Sequence, residues 1–560
     1  MLSKIYKFNY LLFCLFFFYQ NTSYSKNFDE KNVDNYFSAL ISLNENKSYE
    51  SLKYFNLSKK LKEYHPSYIE NYTYSLVLSE NVKKAISEIK LTKNKSLTDF
   101  FDAHLLLLLD SIKKNEFNKS LDHIKNLKKH QDVGNFEYIV SIFLEEYVHI
   151  FNNNQFKSDF DGQFGKMSLI NRTLQSCYLG LSNTENFFEN LINDNSDGYS
   201  RYLFFYANYL ISKNNHIKAK NIFENIEPIK STLLIAQVKK WIDMGNYDNL
   251  RNIFSCKNPS DIISEFIFII STLYSSEDEI NRSNFYFNLS HYLNPKFKFN
   301  LALLADNYFQ QKEFDDLKRI IKKFNLKNEI YYWYKIKKIA EIIKYEENEE
   351  QSFKYINSKF KDIEQPSLKI LYEMGNLSKN FQKYELAIEY YTEVLSKLDP
   401  TSEIYANVLY RRGSSYERLG NENKADEDLL KSLKIKPDEP HFLNYLAYSW
   451  LERNYNVDSA MEMLSRAYNQ LPDDPYIIDS IGWAYYLIGD YIEAEKLLRK
   501  AAELMPLDPI VNDHYGDILW KLGRKMQANY FWKNVLTFED TEEKMKKDIF
   551  YKLLKGPKNT

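Results

Sequence analysis

Residues 475–506 read PYIIDSIGWAYYLIGDYIEAEKLLRKAAELMP, two apolar-periodic runs on either side of the turn Leu487-Ile488-Gly489-Asp490. In the first run Ile478, Ile481, Gly482 and Tyr485 share one helical face, and in the second Ala494, Leu498 and Ala501 do the same. Gly482 and Ala494 lack bulk where the two helices cross, so the backbones can approach while Tyr485 and Leu498 fill the space beside them. Pro506 closes the second run because proline cannot continue a helix interior. One such hairpin alone would leave an apolar face wet, so it must stack on a neighbour.

The neighbours are legible. A small residue recurs at Gly375, Gly413, Ala447, Gly482 and Gly516, at steps of 38, 34, 35 and 34, and an Ala follows about twelve residues later at Ala387, Ala425, Ala460, Ala494 and Ala528. Thirteen Pro and fourteen Gly in 560 residues lie far below the roughly 12% combined of average usage, so turns are short and helices long. The expected fold is all-α, an α-solenoid of helix-turn-helix repeats. Carried backwards, the phase places further hairpins near 32, 66, 101, 135, 168, 200, 231, 264, 298 and 333, with 135–195 fitting worst.

This pattern resembles the tetratricopeptide repeat (TPR), a 34-residue helix-turn-helix unit read as W-x2-L-G-x2-Y, A-x3-F and P. Leu409, Gly413, Tyr416, Ala425, Leu429 and Pro437 carry one match; Leu443, Leu446, Ala447, Trp450, Ala460, Ala467 and Pro472 carry the next. Trp is absent from the fourth position of every unit. The expected organisation is a signal peptide at 1–25, degenerate helical repeats at 26–364, well-matched repeats at 365–540 and a C-terminal tail at 541–560.

Lys4 and Lys7 precede the apolar run Leu11 to Tyr19, and Ser23-Tyr24-Ser25 offers a small-x-small cleavage signal, so export is expected. The run is shorter than the roughly 20 residues of a membrane span. Cys14 leaves a lipoprotein reading open, although Phe13 is larger than the residue that normally precedes a lipidated cysteine, and an uncleaved anchor is a further alternative. Linear stacking sets Cys177 and Cys256 about two units apart, beyond the roughly 7 Å Cα limit of a bridge, so buried free thiols are expected.

Reactive chemistry is scarce. The nine histidines, among them His104, His123, His130 and His149, are dispersed, and no HExxH, CxxC, GxSxG or Gly-rich phosphate loop occurs. Asp513 and Asp517 share a helix face beside His514, but no second His or Cys cluster completes a coordination set. No catalytic residue, cofactor or metal is expected, and the chain reads as a non-enzyme. With 74 basic against 76 acidic residues there is no electrostatic footprint for nucleic acid.

The TPR resemblance implies a concave wall lined by positions two, five, nine and twelve of each first helix. Here these include His441, Tyr476 and Ile510, and the candidate partner-binding groove Tyr410, Asn444, Tyr448, Asp479, Trp483, Tyr486, Asp513, Asp517 and Trp520. The wall is aromatic and acidic, as protein-binding hot spots often are. The alternative is that Trp483 and Trp520 pack against neighbouring hairpins.

Residues 442–449, 479–484 and 512–520 resemble the C-terminal repeats of large exported proteobacterial TPR proteins, over roughly Gln365 to Phe538. That resemblance implies a periplasmic or outer-membrane-associated scaffold or adaptor that binds envelope proteins or peptides. One such role is to hold a carboxyl-terminal processing protease and deliver cell-wall hydrolases to it. Membrane association would not use a spanning helix. The alternatives are an assembly factor for outer-membrane proteins or exported polysaccharide, and a cell-wall lytic enzyme built on a helical ring.

Overall fold

The computed structural model describes residues 30–557 except 64, 132–134, 158–161, 194–199, 225, 328–329 and 540. The segment expected as a signal peptide, with Cys14, lies outside the described residues. Among the described residues every regular element is a helix. The chain divides into two compact units, Met1–Glu364 and Gln365–Thr560.

In the second unit five hairpins follow one another: Leu368–Asn380 with Tyr384–Leu395, Glu403–Arg418 with Glu422–Ile435, Pro440–Glu452 with Val457–Gln470, Pro475–Ile488 with Tyr491–Leu504, and Pro509–Lys521 with Lys525–Val535. A last helix, Glu543–Lys555, follows them. Helix starts are set by local chemistry. The carboxylates of Asp474 and Asp508 accept from the backbone N–H groups of the first helical turn, ahead of Pro475 and Pro509 at the position where a missing N–H costs nothing. Gly489 ends its helix at φ 87°, a left-handed backbone that glycine adopts without strain.

The small residues sit where the helices touch. A Cβ on Gly482 would stand 2.9 Å from Leu498 Cγ, and one on Gly375 would stand 2.7 Å from the Tyr391 ring. Gly516 faces the fully buried indole of Trp532 in the same way. Bulk on the second helix thus requires its absence on the first, and the core of the unit is built from these pairs.

The first unit keeps the phase in its helix starts, at Glu30, Pro66, Phe101, Phe136, Lys166, Ser200, Leu233, Pro259, Leu301 and Ile330, although Phe136 opens no hairpin among the described residues. Its interior, however, is not a hollow. Helices Pro259–Ser276 and Ile280–Leu293 pack back against the early hairpins. Arg282 pairs with Asp102 at 2.7 Å, Asn288 Nδ2 donates to the Leu78 carbonyl, and Lys113 donates to the Leu293 carbonyl. In 135–195, the poorest match, no hairpin partner among the described residues follows the helix Phe136–Asn153 before the pair Lys166–Leu179 and Thr184–Ile192.

The same doubling back corrects the expectation of free thiols, because Cys177 and Cys256 form a disulfide with a Cα separation of 5.6 Å. The assumption that failed was linear stacking. The short helix Tyr247–Ile253 folds onto Ser200–Ser212, where Asn208 Nδ2 donates to the carbonyls of Leu250 and Phe254. That contact draws the following loop to the end of the Lys166–Leu179 helix, and Lys257 donates to the Tyr178 carbonyl beside the bridge.

Candidate protein-binding groove

The first helices of the last four hairpins carry the candidate residues, and contacts between successive hairpins join most of them. The Trp483 ring lies between His514 of the next hairpin, at 4.1 Å, and Tyr486 of its own helix, at 4.6 Å, while its indole N–H donates to Glu452 at 3.0 Å. His514 meets the Asp479 carboxylate through Nδ1 at 2.9 Å. Burial alone would depress the imidazole pKa, but Asp479, by charge and by hydrogen bond, outweighs it with help from Asp513 and Glu452, and the pKa is raised. Tyr448 stands 6.3 Å from the His514 ring, and burial together with Glu452 and Asp479 drives its hydroxyl far above the usual phenol range.

Asp513 and Asp517 share a helix face, and one cation answers both: Lys552 of the last helix donates to them at 2.7 and 2.8 Å. Asp517 also accepts from the Trp532 indole. Burial first, then the charge of Asp513, pushes the Asp517 carboxyl up to about 6, against the pull of Lys552. His514 is therefore engaged by Asp479 and the two carboxylates by Lys552, which gives this trio the character of an internal ion network. Trp520 is half-buried, its ring 5.4 Å from Trp532, with Lys525 over its face. Tyr410 stacks on Phe442 at 4.6 Å. Asn444 is half-buried, and its Oδ1 is a buried acceptor without a donor from the described residues.

The candidate residues thus divide by depth. Asp479, Trp483, Tyr486 and Asp517 are buried in contacts within the array, whereas position two of the same helices forms an exposed rim of His441, Tyr476 and Ile510. Tyr476 keeps 58% of its surface open. A second exposed feature was not read from the sequence. Leu419, Tyr455, Ile488 and Leu522 recur at steps of 36, 33 and 34 where first helices end, and Ile492 and Met526 follow at the starts of second helices, 82% and 89% exposed. The signal was present as apolar residues at turn positions that are ordinarily polar.

Paired helices, small-residue crossings and a 34-residue step agree with the match to a repeat family. The sequence model of the tetratricopeptide repeat matches residues 368–396 and 406–439. The matched stretch of the second unit carries tetratricopeptide repeats. The TPR repeat-containing protein PA4667 of Pseudomonas aeruginosa is 34% identical over 111 residues, which cover 20% of this chain and only 19% of that relative. Among solved structures, the thermophilic TPR protein TTC0263 of Thermus thermophilus is 19% identical, covering 34% of this chain and 100% of that one, with a TM-score of 0.30. PilW, a widely conserved type IV pilus biogenesis factor, is 20% identical, covering 34% of this chain and 85% of that one, also with a TM-score of 0.30. The tetratricopeptide fold is typically a non-catalytic scaffold for protein–protein interaction. No helix among the described residues of this protein is long and apolar enough to cross a membrane.

Proposed function

We propose that this protein is an exported envelope adaptor whose unit Gln365–Thr560 grips other polypeptides. The observation that carries the reading is the exposed apolar side chain repeated at successive hairpin turns, from Leu419 to Met526, on an array whose own core is closed. Exposed apolar surface repeated along one edge favours a protein partner. The groove of Tyr410, Asn444, Tyr448, Asp479, Trp483, Tyr486, Asp513, Asp517 and Trp520 supplies the preorganised floor, and His441, Tyr476 and Ile510 the reachable rim. The Cys177–Cys256 bridge supports export, since such bonds persist in oxidising compartments. In the adaptor role the array holds a carboxyl-terminal processing protease and a cell-wall hydrolase together, at an effective concentration on the order of mM.

The test is site-specific photocrosslinking in cells from positions 476 and 492, followed by mass spectrometry. Recovery of a processing protease or a cell-wall hydrolase, reduced in Ile492→Ser and Met526→Ser chains of unchanged helicity, is the expected result. Recovery of outer-membrane proteins or polysaccharide would replace the adaptor with an assembly factor. Digestion of peptidoglycan by the purified chain would replace both.

A further inference from the structure

Two histidines that are 26 positions apart in sequence meet in the first unit. The helices Phe101–Lys113 and Phe117–Leu127 run antiparallel, so the first turn of one lies beside the end of the other. His104 sits on that first turn, His130 in the turn that follows Leu127, and Asp99 just ahead of the hairpin, after the short helix Lys95–Thr98. Both imidazoles aim Nε2 at one oxygen, Asp99 Oδ1, at 2.8 and 2.9 Å. Their rings are stacked, with centroids 5.7 Å apart and planes within 17°. The three donor atoms all lie within 4.8 Å of one another.

We propose that Asp99, His104 and His130 bind a divalent transition metal, with Zn2+ as the resident ion. Imidazole nitrogen with one carboxylate is a ligand set that Zn2+ takes readily, and three protein ligands leave a fourth position for water. Tetrahedral bonds of about 2.0–2.1 Å set donor atoms roughly 3.3 Å apart. The cluster is already near that size and needs side-chain adjustment only. Access is graded in the right sense: the His104 side chain is 11% exposed, His130 28% and Asp99 54%, so one wall is buried and the opposite side faces solvent. The bound ion would take the place of the protons that the imidazoles share with Asp99 and would clamp the two ends of the hairpin.

The experiment uses the full, untagged chain stripped with chelator, titrated first with Co2+ and followed by its visible ligand-field absorption, then with Zn2+ by calorimetry. One saturable site per chain is expected, with a rise in thermal midpoint on loading. Losing even an outer-shell partner of a metal costs about 10–100-fold in affinity, so Asp99→Asn and His130→Ala should each weaken binding at least about 100-fold. His149→Ala, outside the cluster, should leave it unchanged. Equal uptake by the parent chain, Asp99→Asn and His130→Ala, or no saturable uptake, overturns the proposal. If His130→Ala loses helicity, the exposed Asp99→Asn variant decides alone.

Discussion

Asp479 and His514 show how a single pair sets the charge of a buried contact between hairpins. The folded-state pKa of His514 is raised above its unfolded value, so the stability it contributes is fully present below about pH 6.5 and is lost as pH rises through the folded value. In Asp479→Asn the dominant attraction is gone and burial remains, so the imidazole pKa should fall below the ordinary value and the pair's share of stability should disappear. Nitrogen NMR of the ring across pH 5–9 checks this, and an unchanged titration would show that Asp513 and Glu452 hold the proton instead. Gly482 works at the same scale through absence, since any side chain there would meet Leu498. Its role is legible in the sequence, because small residues recurring at a fixed step mark the points where paired helices cross. That Trp483 packs against a neighbouring hairpin stands among the sequence alternatives, but its partner His514 does not, because the stack joins residues of different repeats.

At the scale of elements, each hairpin is locally determined and the last helix is not. Glu543–Lys555 lies where a sixth hairpin would begin, and it reaches Asp513 and Asp517 through Lys552. Lys552 is itself held charged: burial opposes the charge, but Asp513 and Asp517 outweigh it and raise the pKa. Lys552→Met should leave two carboxylates facing each other and lower stability by about 3 kcal/mol, the low end for breaking a buried pair. Urea denaturation would measure it. A smaller second effect is also expected, because Asp513→Asn in the Lys552→Met background relieves the repulsion and should recover part of the loss. Nothing in the run Lys544 to Lys547 distinguishes it from a solvated face in the sequence, and Lys552 gave no hint of its partners, which lie 35 and 39 residues away.

For the whole molecule, the phase of the repeats was legible over both units, but not the path of the first. Repeats dictate contacts between neighbours; whether successive hairpins advance or curl depends on small rotations summed over many of them. In the first unit that sum returns Ile280–Leu293 to Pro66–Leu78 and closes a disulfide across 79 residues. A loop of that length is worth about 4.5 kcal/mol in the chain-entropy account. Cys177→Ala with Cys256→Ala should therefore lower the unfolding free energy of the first unit by up to that amount, read as a transition in urea that shifts on reduction in the parent chain but not in the variant. Equal stability with and without reductant would argue that the bridge adds nothing to the fold. The Asp99, His104 and His130 cluster belongs to the same scale of contact, set by an antiparallel hairpin that joins residues no motif connects.

The amino-acid sequence by itself determined that the chain is helical, that its helices pair, where each pair begins and which residues must be small, because these depend on period, bulk and caps within some 35 residues. Only the tertiary structure decided which candidate groove residues are buried and which are exposed, that Cys177 and Cys256 meet, and that two dispersed histidines share one carboxylate. Those outcomes follow from distances between segments far apart in the chain. Such distances are fixed by packing, which no local pattern of residues records.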